Sequence, residues 1–367
     1  MPFKKIIMDT LESKMRALTR PNIRALKPYS SARDEAPETS QIPRIMLDAN
    51  ENSFGGPLEE DFSRYPDPQQ RLLKQSIASL KGLEPGQIFL GNGSDEAIDL
   101  LFRAFVEPRQ DHIIILPPTY GMYAVQANIH GAAIRPAPLK PDFSPDADVV
   151  RKATDEHSKI LFLCSPNNPT GQCLPEGFIL EMLDFFPGLV VVDEAYADFS
   201  GNASWISRLQ DHPNLVVLQT LSKAWGLAGL RIGQAYAHPL IIEVLNKIKY
   251  PYNLNEVTLR LGLEALSKSE KVAEKVEQIL AERRRLEIEL PRLAVVEQVF
   301  PSDSNFLLLR VKDADGLYQY LAKNGIIVRN RSRELHCENC LRITVGTVAE
   351  NNRLLEKMAS TNLDSLQ

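Results

Sequence analysis

Five short runs of branched apolar residues alternate along the chain with segments of helical periodicity, and this alternation limits the fold more than any other feature. The runs are Ile88-Phe89-Leu90, HIIIL (112–116), KILFLC (159–164), LVVVD (189–193) and NLVVLQT (214–220). Near-continuous runs of this kind suit strands buried on both faces, as in a mostly parallel sheet covered by helices. Helical spacing is read between them over 94–105 and 175–186. Ahead of them, RLLKQSIASLKG predicts a helix closed by Gly82. In such α/β sheets the ligand chemistry lies at the carboxyl ends of the strands. After about Tyr252 the texture changes. One long charged amphipathic helix, about 257–289, leads to strands near 305–310 and 341–345 and a final helix. The expected architecture is a large α/β domain over 51–255 and a smaller α+β domain over 256–367. Residues 1–50 would form an N-terminal arm and part of the small domain.

At 367 residues the chain can bury a full core and is long for one domain. The formal net charge is -5 and no basic stripe stands out, so no nucleic-acid partner is expected. Arg283-Arg284-Arg285, set among glutamates, reads as a solvated helix face. Four cysteines are too few for a disulfide scaffold, and Ile6-Ile7-Met8 is too short for the core of a signal peptide. No apolar run reaches the ~18 residues of a membrane span, so a cytoplasmic protein without a membrane partner is expected. Cys337 and Cys340 form a C-x-x-C beside His336. A zinc site needs four ligands and no second pair lies nearby, so two reduced thiols in a loop before a strand are expected, and no metal.

Four segments at strand ends could carry chemistry. GNGSDEA (91–97) lacks the third glycine of a dinucleotide fingerprint, Glu96 standing there. It leaves a strand-to-helix turn with Ser94 as N-cap and free N–H groups suited to one phosphate, or an ordinary helix start. SPNNPTG (165–171) is a turn by composition. LVVVDEAYADF places Asp193 and Tyr196 at the end of a very apolar strand. A carboxylate buried there needs a cation, unless it merely caps a helix. TLSKAWGLAGLRIG (220–233) sets Ser222, Lys223 and Arg231 among small residues, a poor place for a mere surface lysine.

T-L-S-K-A-W-G-L-A-G resembles the attachment signature of the class II aminotransferases, enzymes of fold type I that use pyridoxal 5'-phosphate. NPTG, DEAY and SKAWGLAGLRIG follow in the family's order, and the likeness runs from about Pro28 to near the C-terminus. It implies a mostly parallel mixed sheet in the large domain, with Lys223 carrying the cofactor and serving as general base. Asp193 would pair with the ring nitrogen, and Asn168 and Tyr196 would bond the ring hydroxyl. Ser222, Arg231 and the N–H groups at Ser94 and Asp95 would hold the phosphate. Tyr120 would stack on the ring, though a core tyrosine is the competing reading. Tyr65, in RYPDP, would reach the phosphate in a neighbouring subunit, which implies a homodimer with composite sites.

Within the family, IRALKPYSSARDE, LDANENSFG, RYPDP, GNGSDE, GIIVRN and CLRITVGT resemble the branch that acts on histidinol phosphate and glutamate or 2-oxoglutarate. One pocket must then accept a phosphate ester and a carboxylate, which suits the planar fork of arginine. The resemblance assigns this to Arg342, assisted by Arg329, with Arg331 and Arg333 as competitors for the second role. Asn168 would touch the substrate too, and Tyr29 of the arm would donate to the phosphate unless it is a surface residue. The stretch RSRELHCENC departs from the pattern near the substrate end. An aromatic or phenylalanine aminotransferase and a threonine-phosphate decarboxylase of the same fold are therefore the alternatives. A regulator built on such a domain would carry a DNA-binding segment ahead of it, for which the short arm gives no room.

Overall fold

The computed structural model describes residues 13, 15–29 and 45–361. Helix α1 (Arg71–Lys81) ends as its sequence predicts: Gly82 takes φ 67° and its N–H bonds the Ala78 carbonyl. The chain then alternates β1 (Ile88–Asn92), α2 (Ser94–Phe105), β2 (His112–Ile115), α3 (Met122–His130), β3 (Ala133–Pro136), α4 (Ala147–Ala153), β4 (Ser158–Cys164), α5 (Glu176–Phe185) and β5 (Leu189–Asp193). Strands β6 (Leu215–Thr220) and β7 (Ile232–Ala237) and helix α6 (Pro239–Ile248) follow. The seven strands form one sheet in the order β1-β7-β6-β5-β4-β2-β3. It is parallel from β3 to β6 and antiparallel where β7 meets β6 and β1, hence the mostly parallel mixed sheet expected.

The continuous apolar runs have a direct cause. Successive side chains point to opposite faces, and each face has its own core. Leu161, Leu163, Val190 and Val192 pack with α1 and α5, whereas Ile160, Phe162, Leu189 and Val191 pack with α2 and α6. Among the described residues of the first fifty, those of 15–20 reach the second layer. Met15 joins its core, and Arg20 pairs with Glu107 at 3.0 Å. Residues 30–44 of the arm lie outside the described residues.

Two strands have no run of branched residues to announce them. β3 (AIRP) is an edge strand closed by proline. β7 (IGQAYA) is wholly buried yet mixes Gly and Ala with Ile, Gln and Tyr. At Gly233 a Cβ would overlap the Gly93 carbonyl carbon and the Ser94 nitrogen. The close approach of β7 to the turn after β1 excludes any side chain at Gly233.

The charged stretch expected as one helix is two, α7 (Glu256–Leu266) and α8 (Ser269–Glu289). Ser267 Oγ donates to the Glu264 carbonyl at 2.7 Å and Lys268 leaves helical geometry. The arginine run on α8 is solvated only in part. Arg284 is exposed, but Arg283 turns inward and donates to the Ser304 carbonyl at 2.8 Å. Beyond it, β8 (Val296–Val299), β9 (Phe306–Val311), β10 (Arg329–Asn330) and β11 (Cys340–Thr344) form an antiparallel sheet in the order β10-β11-β9-β8. Helices α8, α9 (Ala314–Lys323) and α10 (Val348–Ala359) cover one face. Leu308, Cys337 and Cys340 leave by the other face to join the core of the large sheet, so the two sheets share apolar packing. Both thiols are free and buried, with Cys340 already the first residue of β11.

Gly233→Ala is expected to lower the unfolding free energy by about 1–3 kcal/mol, because backbone rather than a flexible side chain must give way. Gly177→Ala on α5 meets nothing within 4 Å and should be neutral or stabilising by up to about 1 kcal/mol. Paired urea melts of the two variants check both expectations.

Candidate active site

The carboxyl ends of β4, β5 and β6 and the turn after β1 surround a cavity of about 130 Å³. Its deepest acidic group is Asp193, the last residue of β5 and buried. Tyr123 Oη donates to Oδ2 at 2.6 Å and the Ala195 N–H donates to Oδ1 at 3.1 Å. Burial pushes this carboxyl above its ordinary range, and the Tyr123 bond is the first influence opposing it. Tyr123 was not singled out from sequence. The signal lay in PPTYGMY, where it stands one helical turn beyond Tyr120 on α3.

Lys223 enters from the loop after β6, and its Nζ lies 5.5 Å from the centre of the Tyr196 ring. Burial, then the charge of Arg342, lowers its pKa from the ordinary lysine value, with Asp193 and Asp95 opposing. A lysine so placed holds its proton less firmly, so more of it is the neutral amine that can act as nucleophile or accept a proton. Asn168 Nδ2 donates to Tyr196 Oη at 3.5 Å, while Arg342 Nη1 donates to Asn168 Oδ1. The Arg342 guanidinium lies 5.1 Å over the Phe306 ring, and Tyr196 meets that ring edge-on at 5.2 Å. An arginine from the second sheet is thus carried to the rim of the first sheet's cavity.

The opposite wall suits an anion. Gly93, not Ser94, is the N-cap of α2, with φ 78° and a backbone N–H bonded to the Arg231 carbonyl. A Cβ at Gly93 would lie 2.5 Å from Arg231 Nη2, so only glycine allows the guanidinium to cross this turn. Ser94 is therefore the first helical residue, and its hydroxyl makes no cap bond. The N–H groups of Ser94 and Asp95 have no intrahelical acceptor. Arg231 Nη2 stands 3.6 Å from Asp95 Oδ2, whose Oδ1 accepts from Tyr120 Oη at 3.1 Å. Ser222 Oγ accepts from Thr220 Oγ1 at 2.9 Å.

Asp193, Asn168, Tyr196, Lys223, Ser222, Arg231, Ser94, Asp95 and Tyr120 therefore line one cavity. Four expected residues do not, and of these Arg342 stands at the rim, bonded to Asn168. Tyr65 is half exposed and stacks on Tyr252 at 4.4 Å, and Tyr29 is 76% exposed. Arg329 is exposed on β10, directly opposite Arg342 in the strand register. A larger open hollow of about 660 Å³ lies beside Glu194, whose carboxylate is already served by Ser204 Oγ, the Trp205 N–H and Gln219. Among the described residues no group of three or more His, Cys, Asp or Glu side chains could hold a metal ion.

A doubly wound sheet with an amine, a buried acid and an anion cradle at its strand ends fits enzymes that hold an aromatic, phosphorylated cofactor. The family model described as Aminotransferase class I and II matches residues 34–358, and the chain belongs to that family. Its curated relatives include the histidinol-phosphate aminotransferase of Parabacteroides distasonis, 50% identical over 95% of this chain and 99% of that protein. The histidinol-phosphate aminotransferase of Flavobacterium johnsoniae is 47% identical over 97% of this chain and 100% of its own. Among solved structures, the histidinol-phosphate aminotransferase of Clostridium acetobutylicum has a TM-score of 0.75 at 23% identity, covering 81% of this chain and 90% of that one. The Sinorhizobium meliloti enzyme, solved in complex with pyridoxal-5'-phosphate, has a TM-score of 0.73 at 24% identity and covers 83% of each chain. These two likenesses show the shared fold.

Tyr123→Phe is expected to lower stability by about 1.5–3 kcal/mol where Asp193 is ionised, since a bond to a charged group is lost without replacement. The bond favours the charged carboxyl, so its loss raises the Asp193 pKa further. The penalty should therefore be largest at high pH and shrink as pH falls through the raised pKa. Urea melts of variant and wild type across a pH series measure it.

Proposed function

We propose that this chain is a pyridoxal-phosphate-dependent histidinol-phosphate aminotransferase of histidine biosynthesis. It interconverts L-histidinol phosphate and 2-oxoglutarate with imidazole-acetol phosphate and L-glutamate by a ping-pong reaction. The observation that carries this reading is the buried Asp193 facing the same cavity as the Lys223 amine. A carboxyl whose charge is disfavoured by burial needs a cation, and a protonated pyridine nitrogen is one that also suits the adjoining anion cradle. The near-complete coverage of relatives bearing that enzyme's name supports the substrate.

Bound pyridoxal phosphate supplies a ring that delocalises the electron pair left on the substrate α-carbon. The chain's residues do the rest. Asp193, held in place by Tyr123, balances the charge on the ring nitrogen. Asn168 and Tyr196 would donate to the ring hydroxyl, and Tyr120 would lie against the ring. Ser222, Arg231 and the N–H groups of Ser94 and Asp95 bind the phosphate. Lys223 Nζ would take the proton from the substrate α-carbon and deliver it to C4′ of the cofactor, and its lowered pKa leaves more of the amine neutral to accept it. Arg342, with Arg329, receives the anionic group of either substrate, and Tyr29 of the arm closes over it. Tyr65, turned outward, serves the neighbouring subunit's cofactor in a homodimer. The large body spans 51–255 and the small body 256–367. No helix among the described residues is long and apolar enough to cross a membrane. A cytoplasmic location is part of this proposal.

Purified protein should show the absorbance band of bound cofactor and convert it to the amine form on addition of histidinol phosphate. Conversion by phenylalanine but not by histidinol phosphate would overturn the substrate. Carbon dioxide release without the amine form would indicate a decarboxylase. Lys223→Ala should slow the half-reaction by at least about 10²-fold. Mixing inactive Lys223→Ala and Tyr65→Phe subunits tests the composite site. Hybrids should regain one intact site per dimer, whereas subunits with self-contained sites would regain none.

A further inference from the structure

Residue parity on the four-stranded sheet decides which side chains turn toward the cavity. Leu307, Leu309, Leu341 and Ile343 pack beneath α9 and α10, so Leu308 and Arg342 point the other way. Arg342 opposes Leu308 on one side and Arg329 on the other, and directly opposed residues share a face. The ladder continues one residue past β10, where the Arg331 N–H donates to the Cys340 carbonyl at 2.8 Å. Arg331, two residues after Arg329, therefore faces the cavity side as well.

The three arginines differ in their surroundings. Arg329 is exposed, whereas Arg331 has only 26% of its side chain exposed and gives Nη1 to Glu334 at 2.8 Å. Arg331 Nε and Arg342 Nε are both buried without a hydrogen-bond partner, and so is Ser332 Oγ. Of seven such side-chain atoms among the described residues, two belong to the stretch just after β10 and one to Arg342 on the neighbouring β11. The charge of Arg331 is, after burial, the foremost influence on Arg342, ahead of Arg329. It bears on Tyr196 too. Glu334 pairs with Arg331 and also bears on Arg342, so one carboxylate serves two neighbouring guanidiniums.

We infer that Arg331 is the residue by which the site distinguishes a phosphate ester from a carboxylate. The inference rests on the functional reading above, in which one pocket takes both. The planar fork of Arg342 can satisfy the two oxygens and single charge of a carboxylate. A phosphate ester adds a third oxygen and, above its second pKa near about 6, a second negative charge. Arg331 meets both additions, trading its Glu334 contact for the phosphate or sharing itself between them. With glutamate in the pocket it stays on Glu334. Its orphaned Nε is the donor that a carboxylate leaves unused.

The test is Arg331→Gln, with Arg331→Lys beside it, in half-reactions with histidinol phosphate and with glutamate. Arg331→Gln should raise KM for histidinol phosphate about 10- to 100-fold more than it raises KM for glutamate. Arg331→Lys should recover part of that difference, by charge without the fork. Wild-type affinity for histidinol phosphate should strengthen as pH rises through about 6, and Arg331→Gln should flatten this rise. Equal effects on both substrates, no effect on either, or an unchanged pH profile would overturn the inference. A wild-type enzyme inert toward histidinol phosphate yet active with another amino donor would overturn the functional reading itself, and this inference with it.

Discussion

A carboxylate buried at the end of an apolar strand sets the terms for the rest of this structure. Burial penalises the charge of Asp193 and two hydrogen bonds only partly offset it. Strand β5 cannot be less apolar, because helices cover both faces of its sheet. The acid is tolerable only where a cation completes it, and the same cavity contains an amine and an anion cradle. Tyr123, Tyr120 and Asp95 form a connected group around it. Tyr120 bonds Asp95 and meets Tyr123 edge-on at 5.5 Å.

The second constraint is steric. The turn after β1 must come close enough to β7 for Arg231 to cross it, and both chains meet there at glycines. Gly93 has the left-handed φ that the turn needs, and Gly233 has no side chain to block the approach. The anion cradle is thus a consequence of backbone packing, with Arg231 itself in the left-handed region at φ 56°. The other half of the site is delivered by a separate sheet. Arg342 meets Asn168 across 174 positions of sequence, supported by Phe306 from the adjoining strand and by core residues common to both sheets.

Much of this was legible in the sequence. Five branched runs located five of the seven strands of the large sheet, and ordered motifs located the residues that meet in the cavity. What escaped detection has identifiable causes. β7 has a glycine, Gly233, where the turn after β1 presses on it, and mixed residues elsewhere, so no branched run announces it. Ser94 has the chemistry of an N-cap, but the positive φ needed at the turn gives that position to Gly93. Arg283 looks solvated within a run of charges, yet carbonyls at the foot of β9 turn it inward. The split between α7 and α8 occurs at Ser267 and Lys268, residues as polar as the helix around them.

Sequence by itself determined the class of fold, the order of its strands along the chain and the chemical types at the strand ends. These depend on local pattern, and hydrophobic period and turn composition are local properties. Tertiary structure decided which of those groups share one cavity, that Tyr123 holds Asp193, and that three arginines crowd one face of the second sheet. These depend on strand order, register and burial, which arise only when distant segments pack and exclude water.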